Sequence, residues 1–228
     1  MYVFAMLSMP LSFMAVSAWT FSVGDKSGRA FARGLLFGLP AALVWVLVRR
    51  LLMPVWGSPV LAIIFFARYW ALPLGLTTLA YAAAVGFSSV ARDGEYDRLV
   101  SFFMGSLSVF GVAHAISSWG GRSAVFSIYL PLMLVATALA FPYLLEEAVK
   151  DGMPGALKPL ALATLGCVVA AFGTAFFFMR LEWLGYLTSA LYTAGATALG
   201  LSRLLRAPHG ARRGEAWDQR GSNPPPTA

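Results

Sequence analysis

Apolar residues in this chain run in blocks of about twenty, and charged residues mostly fall between the blocks. A helix needs ~20 mostly apolar residues to cross the ~30 Å hydrocarbon layer of a bilayer, at a rise of ~1.5 Å per residue. Cutting the chain at its charges predicts spans over 1–23, 31–48, 99–119, 123–145, 159–179 and 183–202. The first is closed by Gly24-Asp25-Lys26-Ser27-Gly28-Arg29, the second by Arg49-Arg50, and the span over 123–145 by Glu146-Glu147. The stretch 51–90 divides less clearly. Ser58-Pro59 has the form of a helix start, with a capping side chain before Pro at the first helical position. Arg68 interrupts the apolar run, and Pro73 removes a backbone donor. The expectation is a short interfacial or re-entrant piece over 59–70 followed by one span over 71–90, with two full spans as the rival. The predicted class is all-α: a polytopic transmembrane bundle (1–202) of about seven spans, six to eight in range, several of them kinked by proline. A basic, disordered cytoplasmic tail (203–228) follows.

Composition agrees with this pattern. Apolar residues make up 59% of the 228 and charged residues 12%. A soluble domain has ~25% charged residues, and a core of this size cannot hide so much apolar surface from water. One cysteine excludes a disulfide-stapled module. No Lys or Arg precedes Lys26, so the basic region of a cleaved signal peptide is missing.

Charge assigns the sides. With seven spans, twelve of the seventeen basic residues fall on one side and five (Arg49, Arg50, Arg68, Arg122 and Arg180) on the other. The positive-inside rule makes the first side cytoplasmic, with the N-terminus outside and the C-terminus in the cytoplasm of a plasma or bacterial inner membrane. All the acids but Glu182 fall on that same side. The net charge of +7 becomes a basic rim facing anionic lipid. A nucleic-acid partner is not expected, because the tail has one aromatic residue, Trp217, and no recognisable fold.

The spans contain no acid at mid-depth, which argues against a carboxylate relay. Arg68 and His114 are the polar exceptions and the candidate substrate-pathway residues: Arg68 for an anionic group, His114 for a proton relay or substrate contact. No metal or other cofactor is expected, since one membrane His and one Cys on different spans cannot supply three zinc ligands. No nucleophile elbow or phosphate-binding Gly-rich loop occurs. Cys167, apolar on both sides, reads as packing. Gly166, Ala170 and Thr174, and then Ala190, Ala194 and Ala198, repeat at four-residue spacing and predict close packing of the last two spans. Tyr2, Trp19, Trp56, Trp70, Trp119, Tyr143 and Trp183 read as interfacial belts.

Two inner loops carry acids and form candidate partner-docking surfaces: Arg92, Asp93, Glu95 and Asp97 in one, Glu146, Glu147 and Asp151 in the other. The second resembles the coupling loop of ABC importer permeases, whose pattern is roughly E-A-A-x-x-D-G. Glu146, Ala148, Asp151 and Gly152 match it, Glu147 stands in place of the first Ala, and the positions that follow depart from it. The likeness covers about seven residues and implies a cytosolic partner such as an ATPase. The function expected is that of a permease-like protein or transporter subunit moving a small molecule or lipid. The alternatives are a non-catalytic membrane scaffold docking a cytosolic partner, or a lipid-modifying membrane enzyme.

Overall fold

A computed structural model describes residues 25–52, 61–85, 96–117, 126–150 and 152–206, and every described residue outside one three-residue turn is helical. Six rods result. They are α1 (Asp25–Leu52); a second rod made of α2 (Leu61–Phe66), a π-helical turn (Ala67–Ala71) and α3 (Leu72–Val85); then α4 (Tyr96–Ser117), α5 (Phe126–Lys150), α6 (Gly152–Phe178) and α7 (Glu182–Arg206). Four of them are long and apolar enough to cross a membrane: Gly28–Arg50, Ile63–Ala84, Tyr129–Lys150 and Gly155–Phe178. These mark a membrane-embedded protein. The predicted first span and the tail beyond Arg206 lie outside the described residues.

The helix bounds correct the sequence reading in three places. Within 61–85 one rod runs unbroken, in place of a piece ending at 70 and a separate span from 71, and the π turn stands where Arg68 seemed to interrupt it. The helix α1 runs on to Leu52 and so includes Arg49, which the cutting rule had assigned to a loop. Only residue 151 separates α5 from α6. The permease-like motif therefore straddles two helix ends instead of forming a loop helix of its own, and Asp151 itself lies outside the described residues.

The core centres on α4. Leu99, Val100, Phe102, Phe103, Leu107 and Phe110 are all buried, and the polar Ser101, Ser106 and His114 of the same helix are buried with them. A helix enclosed by other helices meets protein on all sides, so its polar groups find partners there instead of lipid. Ser106 Oγ pairs with Thr77 Oγ1 of α3 at 2.9 Å. The Tyr96 hydroxyl donates to the carbonyls of Leu139 (2.9 Å) and Gly200 (3.4 Å), tying α4 to α5 and α7.

Helix directions follow from the contacts. Along α1 and α4, Gly34 faces Phe102 and Gly38 faces Ser106, so the two helices run parallel. A Cβ on Gly34 would stand 2.2 Å from the Phe102 carbonyl oxygen, and one on Gly105 would stand 2.4 Å from that of Phe31. This is backbone-to-backbone packing of the small-residue kind that holds helices together in lipid. The pairing of α6 with α7 is antiparallel, with Gly166 against Tyr192 and Gly173 against Thr188 and Ser189. Ala170 and Thr174 are buried as the four-residue spacing predicts. Ala190, Ala194 and Ala198 are exposed instead: the face that α7 turns to α6 carries Gly185, Thr188, Ser189 and Tyr192.

The turn from α6 to α7 is short. Arg180 takes a left-handed backbone conformation (φ 61°). Leu181 N–H donates to Phe176 O at 2.9 Å and Arg180 N–H to Phe177 O at 3.4 Å. These two bonds close the end of α6 in a Schellman motif.

Candidate functional site

The site begins with a backbone consequence of Pro73. In the π turn the N–H of Leu72 reaches Ala67 O, five residues back. In that register the next donor would be residue 73, serving Arg68 O, and proline has no N–H. The indole of Trp45 on α1 takes its place, donating from Nε1 to Arg68 O at 2.6 Å. The turn Ala67–Ala71 is thus fastened to α1 by a side chain. Single π turns of this sort recur at functional sites.

Three consecutive side chains of the turn are placed by this arrangement. Arg68 is half-buried, with its Cζ 5.5 Å from the centre of the Tyr69 ring. Its Nε is sealed from solvent with no hydrogen-bond partner among the described residues. Tyr69 is buried and meets His114 of α4 edge-on at 5.2 Å. Trp70 is fully buried, packs 5.4 Å from Tyr192 of α7, and leaves its indole N–H without an acceptor among the described residues. It belongs to the core, not to the interfacial belt that the sequence implied. Trp183, 65% exposed, fits such a belt.

Arg49 completes the cluster. It lies one turn after Trp45 on the same face of α1, with its Cζ 4.9 Å from the Trp45 ring. It is only 6% exposed. Its Nη1 donates to His114 Nδ1 at 3.2 Å. A guanidinium can only donate, so Nδ1 is the acceptor and the imidazole carries its proton on Nε2. Trp45 also meets Phe110 at 5.7 Å and Tyr69 at 6.5 Å. Arg49 and His114 each lie three residues from the ends of α1 and α4, so the cluster is ~5 Å inside that end of the bundle. The described acids of α4 and α5 stand at the opposite end of the bundle, whereas α7 begins at the cluster's own end. Asp97 opens α4, Glu146 and Glu147 close α5, and exposed Glu182 opens α7.

The structure therefore brings both predicted pathway residues, Arg68 and His114, to one point. It adds Arg49, Trp45 and Tyr69, which the sequence reading missed. The spacing of Trp45 and Arg49 on one helix face was the available signal, and the Arg49-Arg50 pair hid it by resembling the end of a span.

The described docking candidates, Asp97, Glu146 and Glu147, stand at the opposite end, where α4 begins and α5 finishes. Glu146 is 3% exposed and bonds Lys150 Nζ through Oε1 at 2.7 Å. Glu147 receives the Tyr143 hydroxyl. Arg92, Asp93 and Glu95 lie outside the described residues. Among the described residues no group of three or more His, Cys, Asp or Glu is gathered that could hold a metal ion.

A cleft of about 440 Å³ opens between α5, α6 and α7. Its walls are apolar apart from Thr137 and Tyr192, whose hydroxyls are bonded at 2.7 Å, and Cys167 forms part of its floor. Trp70 meets Tyr192 edge-on, so one turn of helix touches the basic cluster on one side and the cleft's wall on the other. No family model, no curated protein and no solved structure matches this chain.

Proposed function

We propose that the protein is a permease-like membrane protein, or the membrane subunit of a transporter, that moves a small molecule or lipid. One observation carries the reading. Arg68, Arg49 and His114 converge inside an apolar bundle, held by the π turn and by the Trp45–Arg68 tie. Ionisable groups enclosed at membrane depth are costly, and where they occur they line pathways and substrate sites. A packing role alone would be served at lower cost by apolar residues of similar volume.

In this reading the chain crosses the membrane seven times, residues 1–23 form the first span, and proline-bearing helices flank the pathway. The N-terminus and the cluster face outward, and the acid-bearing end faces the cytosol. The parallel run of α1 with α4, and the antiparallel run of α6 with α7, support that threading.

Accessibility from each side tests it without knowledge of the cargo. In a Cys167→Ser background, single cysteines are placed along α1, the π turn and α4 of the reconstituted protein. They are then treated with a membrane-impermeant, charged thiol reagent from one side at a time. The reading expects positions around Arg68 and His114 to react from the outer side, and a subset of deeper α4 positions to react from either side. Reaction from one side only along the whole series, or from neither, overturns it.

A further inference from the structure

We propose that Arg68, together with the Arg49–His114 pair, binds the phosphate group of an anionic ligand at the end of the bundle where α1 and α4 finish. This deepens the permease reading and rests on it for the ligand's being cargo, whereas binding itself is tested separately below.

The first argument is the sign of the field. Arg49 and Arg68 both act on His114, and both act on Tyr69. Two cations share this small volume, while the described acids of α4 and α5 sit at the far end of the bundle. Like charges held together inside a bundle repel, and an anion between them removes that repulsion.

The second is an unmet donor. Arg68 Nε is shielded from solvent and bonds nothing among the described residues. A buried guanidinium N–H without an acceptor is unfavourable by more than a neutral group would be. The rest of the Arg68 side chain is only half-buried, so a ligand can reach it from outside the bundle.

The third is the kind of anion. Arginine presents a planar fork of donors suited to carboxylate and phosphate oxygens. Two forks and two positive charges exceed what a single carboxylate can accept with two oxygens and one charge. A phosphate supplies more oxygens and up to two charges. The guanidinium planes are held by ring contacts, Arg49 on Trp45 at 4.9 Å and Arg68 on Tyr69 at 5.5 Å, so they are arranged before a ligand arrives. The cluster lies ~5 Å inside the helix ends, a depth that a lipid phosphate or a phosphorylated solute can both reach.

The experiment uses the full chain in nanodiscs. Binding of inorganic phosphate is measured by its effect on melting temperature in phosphatidylcholine discs, with acetate as the carboxylate control. Binding of lipid phosphate is measured as enrichment of phosphatidic acid among co-purified lipids, after exchange in a phosphatidylcholine–phosphatidic acid mixture. The variants are Arg68→Gln, Arg68→Lys and, as a control for general surface charge, Arg50→Gln; Arg50 is exposed on the same turn as Arg49. The proposal expects at least tenfold weaker phosphate binding or matching loss of phosphatidic acid enrichment in Arg68→Gln. Arg68→Lys should lose most of the effect because it lacks the fork, and Arg50→Gln should lose none. Phosphate bound in both arms identifies a free phosphate group as sufficient; enrichment of the lipid alone identifies a headgroup. Equal losses in Arg50→Gln and Arg68→Gln, equal response to acetate, or no response in either arm overturns the proposal. Fold is read separately from the melting temperature without phosphate, and Arg68→Lys keeps the test decisive if Arg68→Gln fails to fold. Binding that depends on Arg68 with one-sided thiol accessibility would sink the permease reading and leave this one standing.

Discussion

The Trp45 indole donates to the main-chain carbonyl of Arg68 at 2.6 Å, on a neighbouring rod, and Pro73 is the reason that carbonyl has room for it. Removing the indole N–H leaves a carbonyl in apolar surroundings without its donor, at a cost of ~1–3 kcal/mol. Trp45→Phe also trims the ring contact with Arg49, so the single substitution alone does not isolate the bond. Pro73→Ala restores a backbone N–H that can serve Arg68 O in the same register. The cost of Trp45→Phe should therefore be smaller by ~1 kcal/mol in the Pro73→Ala background, because the ring terms cancel in the cycle. Unfolding in a mixed-detergent titration gives the four free energies. Equal costs in both backgrounds would remove the tie between the π turn and α1 from the account of the site.

The close approach of α1 and α4 gives a second expectation. Gly34 and Gly105 leave no room for a methyl group, with main-chain oxygens at 2.2 and 2.4 Å from the Cβ position. Main-chain atoms in packed helices cannot swing aside as a side chain can. Gly34→Ala or Gly105→Ala should cost ~1–3 kcal/mol by overpacking. The helical Gly75 and Gly195 have nothing within 4 Å of the Cβ position. There alanine should stabilise by up to about 1 kcal/mol through helix propensity. Melting temperatures of the four variants in one detergent should split by sign into these two pairs, and a common sign would contradict the packing.

Much of the helical architecture is legible in the sequence, because blocks of apolar residues between charges can form little else in a bilayer. Boundaries were less so. Arg49 and Lys158 were taken as ends of spans, yet α1 continues to Leu52 and α6 starts at Gly152, since a helix does not stop at a charge whose side chain finds a place. Arg49 finds one against Trp45 and His114. The site was half legible. Arg68 and His114 stand out as polar residues in apolar runs, but their meeting depends on the parallel pairing of α1 with α4 and on the Trp45 bond that ties the π turn to α1, which no single-helix pattern carries. The alanine repeat of α7 misled for a related reason. Spacing identifies a face of small residues, and the partner of that face is decided elsewhere: α6 meets Thr188, Ser189 and Tyr192 instead.

Cys167 is 6% exposed, beneath the cleft between α5, α6 and α7. An aqueous maleimide must reach the sulfur, and a thiol enclosed by packed apolar helices is closed to it. The native protein in mild detergent should remain unlabelled over a period that labels the SDS-unfolded chain completely, as read by mass. Gly195→Trp, on the cleft wall, should leave that contrast in place. Rapid labelling of the native protein would show that Cys167 is open to water and would contradict the packing of α6 against α7.

Arg180 supplies the last expectation. It occupies the left-handed position of the Schellman motif, where glycine is usual, at φ 61°. For a residue with a Cβ this conformation costs ~1–2 kcal/mol relative to the right-handed region. Its side chain is exposed, so little else is lost on replacement. Arg180→Gly removes the strain but widens the unfolded ensemble by ~0.5–1 kcal/mol, leaving a net gain of up to about 1 kcal/mol. Arg180→Asn tolerates the same conformation and should fall between Gly and Arg. Arg180→Val, branched at Cβ, should be the least stable of the four. The ranking Gly, Asn, Arg, Val in unfolding midpoint is the expected result. A valine variant as stable as the glycine one would mean that the turn between α6 and α7 does not require the left-handed backbone. The closing geometry that sets these two helices antiparallel would then need another origin.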